Sequence, residues 1–149
     1  MTEDLIAKWN ETVKPEDTVY HCGDFGLYEY RKFLNGKIVL ICGNYEDDTS
    51  DEELYEYGFD EVYRNNHSIK YNDTIITMQH QPCKIRDKRH LNESGIINLF
   101  GHIHKLCLVK EYGVNVGVDL HNFKPIDIDT VMFYVNGIKS IYEDYNVFL

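Results

Sequence analysis

The stretch NLFGHIHKL at residues 98–106 places two imidazoles, His102 and His104, one residue apart after an apolar run ending at Gly101. In extended chain, residues two apart face the same side, so both rings can address one object. Three further stretches repeat the design. VYHCGD ends on Asp24, IVLICGN on Asn44, and IITMQH on His80. Each is an apolar run followed by a residue able to bind a metal. In open α/β sheets, ligands bind at the carboxyl ends of strands, where loops diverge from a rigid frame. Asp24, Asn44, His80, His102 and His104 are therefore the candidate metal ligands. An aspartate, asparagine and histidine set without thiolate suits Mn, Fe, Ni or Zn. Gly23, Gly43 and Gly101 precede three of these residues and suit a sharp turn or a close approach beside the ligating atoms.

The elements that must carry these residues can be read from periodicity and punctuation. Leu5, Ile6, Trp9 and Val13 form one face of a helix that begins at the Thr2 cap, has Glu3 and Asp4 in its first turn, and ends at Pro15. TVYHC at 18–22 predicts a strand. LYEYRKFL at 27–34 predicts a short helix stopped by Asn35-Gly36, and KIVLIC at 37–42 a strand buried on both faces. A helix is expected near 50–57, then a strand at FDEVY. HSIKY and TIITMQH follow as a hairpin turning at Asn72-Asp73. GIINLFGH at 95–102 predicts another strand, and LCLVKEYGVNVGV at 106–118 two short ones with a turn at Tyr112-Gly113. A last helix is expected over roughly 127–135, after Pro125. With no internal repeat or linker, the pattern predicts one α/β domain over residues 1–149.

Composition narrows the function classes. A chain of 149 residues, 43% hydrophobic with three prolines, has enough apolar residues for a packed core. It contains no run of about 18 apolar residues, and its first residues are acidic where a signal peptide is basic, so a soluble cytoplasmic protein with no membrane partner is expected. Twenty-five acidic against fifteen basic residues give a net charge of −10, which repels a nucleic-acid backbone. A small phosphorylated substrate remains compatible, because a metal or a local arginine reverses the field at a site. Arg86, Lys88 and Arg89 read either as such a local charge or as a solvated basic run, and the acidic run YEDDTSDEE at 45–53 as a solvated face. Cys22, Cys42, Cys83 and Cys107 form no C-x-x-C pair, and Cys22 and Cys42 read as small buried hydrophobes. His67, His90 and His121, taken singly, read as ordinary core or surface histidines.

The ordered set GD at 23–24, GN at 43–44, His80 in MQHQP and GHIH at 101–104 resembles the calcineurin-like metallophosphoesterase family. YHCGDF and NVGVDLHNFKPI at 115–126 look like its small phage and bacterial branch, and the similarity covers roughly residues 5–130. The resemblance implies a two-sheet sandwich flanked by helices and a two-metal site. In it Asp24 bridges both ions, Asn44, His80 and His102 hold one, and His104 joins the other. It also implies hydrolysis of a phosphodiester or phosphomonoester, such as a small nucleotide derivative, by metal-activated water. Two departures stand out. The first strand of the family, with its D-x-H ligands, has no counterpart, which leaves the second metal site incomplete. Tyr45 replaces the histidine of G-N-H, and tyrosine, with a pKa near 10, is a weaker proton donor at neutral pH. Tyr45 is thus the catalytic candidate for orienting phosphate or protonating the leaving group. The same departures suit a catalytically weakened member that binds a protein or sequesters a nucleotide. Absence of the first strand also predicts an open sheet edge, covered by a second subunit or by the tail residues Ile141, Tyr142, Tyr145, Val147 and Phe148.

Overall fold

The computed structural model describes residues 2–82, 96–110 and 113–137. The chain forms α1 (Thr2–Thr12), β1 (Thr18–His21), β2 (Lys37–Ile41), α2 (Asp51–Glu56) and β3 (Glu61–Tyr63). It continues with β4 (Asn66–Tyr71), β5 (Thr74–Gln79), β6 (Ile96–Phe100), β7 (Val109–Lys110) and β8 (Gly113–Asn115). A third helix, α3, runs over 128–137. One sheet is parallel with order β1-β2-β3; the other is mixed with order β4-β5-β6-β8-β7. Together they make the α/β two-sheet sandwich with flanking helices that the resemblance implies.

The alternation along β2 explains why its sheet lies at the centre. Ile38 and Leu40 face one way, with Trp9 and Val13 of α1, Leu54 of α2 and Phe59. Val39 and Ile41 face the other, with Ile76 and Met78 of β5, Ile97 and Leu99 of β6, and Val131 and Val135 of α3. A strand covered on both faces needs apolar residues at every position. KIVLI supplies four in a row, each between 0 and 3% exposed.

Local chemistry sets the boundaries. Ser50 accepts from the Glu53 amide while Glu53 accepts from that of Ser50, a reciprocal cap that starts α2. Asp127 accepts from the Thr130 amide at 2.7 Å and starts α3. Trp9 donates its indole N–H to the Asn35 carbonyl at 3.0 Å, tying α1 to the turn before β2. Asn72 takes φ +54° at the β4–β5 hairpin, as its Asn-Asp pair predicts.

Two expectations change. Residues Tyr28–Phe33 form a 3-10 helix rather than an α-helix, closing with an amide of Leu34 bonded three residues back to Arg31. The acidic run at 45–53 is not solvated throughout, because Glu46 is fully buried. Cys22 and Cys42 are buried free thiols, as expected, and burial pushes them up to about 12 and about 11. Among the described residues β1 pairs only with β2, leaving its outer edge without a strand. The tail residues expected to cover that edge, the basic run at Arg86–Arg89, His90 and Cys83 lie outside the described residues. No helix among the described residues is long and apolar enough to cross a membrane.

Because Ile76 is sealed between the sheets, Ile76→Ala should lower unfolding stability by about 2–5 kcal/mol. The exposed Lys70→Ala on β4 should stay within about 0.5 kcal/mol. Urea denaturation of both variants checks the pair.

Candidate metal centre

Three strand ends converge. Asp24 lies three residues past β1, His80 directly follows β5, and His102 lies two residues past β6. Their ligand atoms all fall within 4.8 Å of one another. The His80 Nε2 is 3.2 Å from Asp24 Oδ2 and 2.9 Å from His102 Nδ1. An ion with bonds of about 2.1 Å at right angles separates neighbouring ligand atoms by about 3 Å. The spacing and the N,N,O donor set therefore fit a divalent transition metal.

The protonation of His80 strengthens this fit. Its Nδ1 lies 2.8 Å from the Cys22 carbonyl, an oxygen that can only accept, so Nδ1 carries the proton. In the neutral imidazole the lone pair is then on Nε2, which lies 2.9 Å from His102 Nδ1 and 3.2 Å from Asp24 Oδ2. Two acceptors at 3.2 Å repel unless a second proton or a cation lies between them. The carbonyl of Cys22 thus orients the ring of this candidate ligand.

The loops carrying these ligands are crowded and strained. A Cβ on Gly23 would lie 2.5 Å from the Gly43 nitrogen, and one on Gly43 2.5 Å from Asp24 Oδ1 and 2.7 Å from His80 Nδ1. These glycines are required by the close approach the sequence suggests. A Cβ on Gly101 would meet no atom of the described residues beyond its chain neighbours nearer than 3.7 Å, so Gly101 is not crowded in this way. Asp24, His102 and His104 all adopt positive φ, at 55°, 60° and 48°. For residues with a Cβ this backbone costs roughly 1–2 kcal/mol each, and such strain gathers at functional sites.

Glu46 locks two of the loops together. It accepts from the amides of Gly43 at 2.6 Å and Asp24 at 3.0 Å through Oε2, and from Phe25 at 2.8 Å through Oε1. Arg64 holds the same loop from outside, donating to the carbonyls of Glu46 and Thr49 and to Asp51. Sequence reasoning missed both residues, since a glutamate inside an acidic run and a lone arginine in a turn look solvent-facing. The one available signal is the position of Glu46 two residues after Asn44.

The remaining candidates stand around the three convergent residues. Asn44 sits at the exposed start of a 3-10 turn after β2 and shares with His80 a polar groove of about 470 Å³. Tyr45 places its phenol 70% exposed, while its amide donates to Asp24 Oδ1 at 3.0 Å. His104 is not in the convergent group; its Nδ1 lies 2.9 Å from Asp119 Oδ2. It lines, with Asp24, His80 and His102, a cavity of about 650 Å³ beside the open edge of β1. Of the other histidines, His67 stacks on Tyr63 with centroids 4.1 Å apart, and His121 donates to the Asn115 carbonyl at 2.7 Å.

The fold and site together define a two-sheet α/β sandwich that gathers side chains able to ligate a metal at the carboxyl ends of strands from both sheets. Uncharacterized protein MJ1445 of Methanocaldococcus jannaschii is 30% identical to the chain over 157 aligned residues, covering 95% of this chain and 78% of that protein. The chain belongs to the family of that archaeal protein. No family model matches the sequence. Among solved structures, the protein of unknown function AQ665 from Aquifex aeolicus superposes with a TM-score of 0.65 at 26% identity, covering 83% of this chain and 79% of its own. A novel archaeal phosphodiesterase shares the fold with a TM-score of 0.56 at 21% identity, covering 78% and 77%.

Two measurements check the local physics. Glu46→Gln turns one amide hydrogen toward the three donors, and should cost about 1–3 kcal/mol while speeding hydrogen exchange at the Asp24, Phe25 and Gly43 amides. Unchanged exchange at those amides would contradict the locking role. The second concerns His21, whose Nδ1 is sealed from solvent without a partner among the described residues. Burial pushes its imidazole down from 6.5 to about 4, with the nearby Glu46 charge opposing in part. The unfolded chain takes up this proton near pH 6.5 and the folded one only near 4, so this stability is complete above 6.5 and lost as pH falls to 4. His21→Phe should flatten the stability profile over that window by roughly 2–3 kcal/mol.

Proposed function

We propose that the chain is a metal-dependent phosphoesterase of the calcineurin-like type, hydrolysing a phosphodiester or phosphomonoester of modest size. The observation that carries this reading is the convergence of Asp24, His80 and His102, whose ligand atoms all lie within 4.8 Å of one another, with His80 Nδ1 bonded to the Cys22 carbonyl. The archaeal phosphodiesterase with the same fold supports it. A bound divalent cation supplies Lewis acidity toward the phosphoryl oxygens and lowers the pKa of water to generate the nucleophile near neutral pH.

The chain's own residues divide the work. Asp24, His80 and His102 hold the cation, Asn44 completes the set from the rim, and His104 extends it on the cavity side. Tyr45 orients the phosphate from its exposed position. Asn44, Asn65, Asn66, Arg64 and Gln81 line the polar groove next to His80 and receive the part of the substrate beyond the phosphate. The groove's carboxamides offer paired donors and acceptors beside the charges of Arg64 and Asp47, which suits a nucleoside or another polar leaving group. The net charge of −10 keeps extended nucleic acid away and leaves small phosphorylated molecules as substrates. The second reading, a weakened member that binds a protein partner or sequesters a nucleotide, is favoured by Tyr45 standing where a more acidic proton donor is expected.

Purified protein should take up Mn²⁺ or Zn²⁺ and hydrolyse bis(p-nitrophenyl) phosphate when supplied with Mn²⁺, and His102→Ala should lower kcat/KM at least about 100-fold. Metal uptake without turnover supports the binding reading. Absence of uptake by the folded protein overturns the metal centre.

A further inference from the structure

The segment NVGVDLH at 115–121 grips His104 at two points. Asn115, fully buried, donates its carboxamide N–H groups to the carbonyls of His104 at 2.7 Å and Cys107 at 3.1 Å. Its oxygen accepts from the Gly117 amide at 2.9 Å, which starts the 3-10 turn Val118–Leu120. That turn delivers Asp119, whose Oδ2 is 2.9 Å from His104 Nδ1. The backbone and the ring of one histidine are thus fixed by residues four apart in the same segment.

The grip is unusual for the residue it holds. The His104 side chain is 80% exposed and its φ is +48°. An exposed imidazole normally keeps its rotational freedom, and an exposed ion pair contributes little to stability. A strained backbone and an immobilised ring make sense where the free ring nitrogen must point at one place. A carboxylate accepts but does not donate, so Nδ1–H of His104 makes this bond, and in the neutral ring Nε2 keeps its lone pair. Both residues line the cavity that also holds Asp24, His80 and His102.

We propose that Asp119 is a positioning residue for a cation site: it fixes His104 in the tautomer with Nε2 unprotonated and holds that nitrogen ready for a divalent cation on the cavity side of Asp24. Asn115 sets the distance by anchoring the His104 carbonyl. This rests on the metal-centre reading above, and assigns the otherwise unused 115–121 segment to it.

A double-mutant cycle with a spectroscopic arm tests the proposal. Mn²⁺ and Zn²⁺ affinities are measured by calorimetry for wild type, Asp119→Ala, His104→Ala and the double variant. Asp119→Ala should weaken cation binding about 10–100-fold. In the His104→Ala background the same change should add nothing, because the carboxylate acts through the ring. Asp119→Asn, which keeps an acceptor, should recover part of the affinity. Equal loss in both backgrounds would overturn the positioning role. The ¹⁵N shifts of His104 in the metal-free protein give a separate readout. The Nδ1–H tautomer should dominate in wild type and give way to a mixture in Asp119→Ala. If the folded wild type takes up no cation, the metal-centre reading falls together with the cation role of Asp119. The shifts then report only whether the pair fixes the ring; a wild-type mixture overturns that as well.

Discussion

The hydrogen bond from His80 Nδ1 to the Cys22 carbonyl is the constraint on which the site depends. It joins residues 58 apart in sequence and ties the end of β1 in one sheet to the end of β5 in the other. Because the acceptor is a backbone carbonyl, the proton location on His80 is set by the fold rather than by the solvent. In the neutral ring the opposite nitrogen is left to accept, and it lies 2.9 Å from His102 Nδ1 and 3.2 Å from the Asp24 carboxylate. A cation or a second imidazole proton relieves the repulsion between the neutral ring's lone pair and the carboxylate, so the fold favours positive charge at a defined point.

That bond is possible because the sheets are held rigidly and the loops can approach. Val39, Ile41, Ile76, Met78, Ile97 and Leu99 pack between the sheets and fix the distance between the strand ends. Gly23 and Gly43 then let the two loops pass within contact distance, where a methyl group on either would collide with backbone or with the His80 ring. Glu46 neutralises the exposed donors of that crossing by accepting three amides in one buried carboxylate. Removal of any of these parts would be felt at His80 without touching it, since protein interiors transmit small displacements.

Much of this arrangement was legible in the sequence. Strand positions follow from apolar runs, and the polar residue ending each run marks the rim where ligands gather. Asp24, His80 and His102 were legible for that reason, since a strand end is a place as well as a pattern. Glu46, Arg64, Asp119 and Asn115 were not, because their partners are backbone groups or side chains supplied by distant loops. Composition cannot separate a glutamate that accepts three buried amides from its neighbours in an acidic run. The six-residue turn at Tyr28–Phe33 was also misjudged in type, since periodicity over so short a span does not separate 3-10 from α geometry.

Of the six non-glycine residues with positive φ among the described residues, three are the candidate ligands Asp24, His102 and His104, the others being Asn72, Asn122 and Phe123. Each of the three candidate ligands would be easier to accommodate as glycine, and glycine would cost nothing in the left-handed region. The chain instead carries a side chain at all three, and each side chain bears a metal-competent atom. Strain at one such position is a local accident of a turn. Strain at three of the candidate ligands, with two of them on the single turn 102–104, means that the backbone is bent to aim side chains, and the packed sheets supply the free energy that keeps it bent.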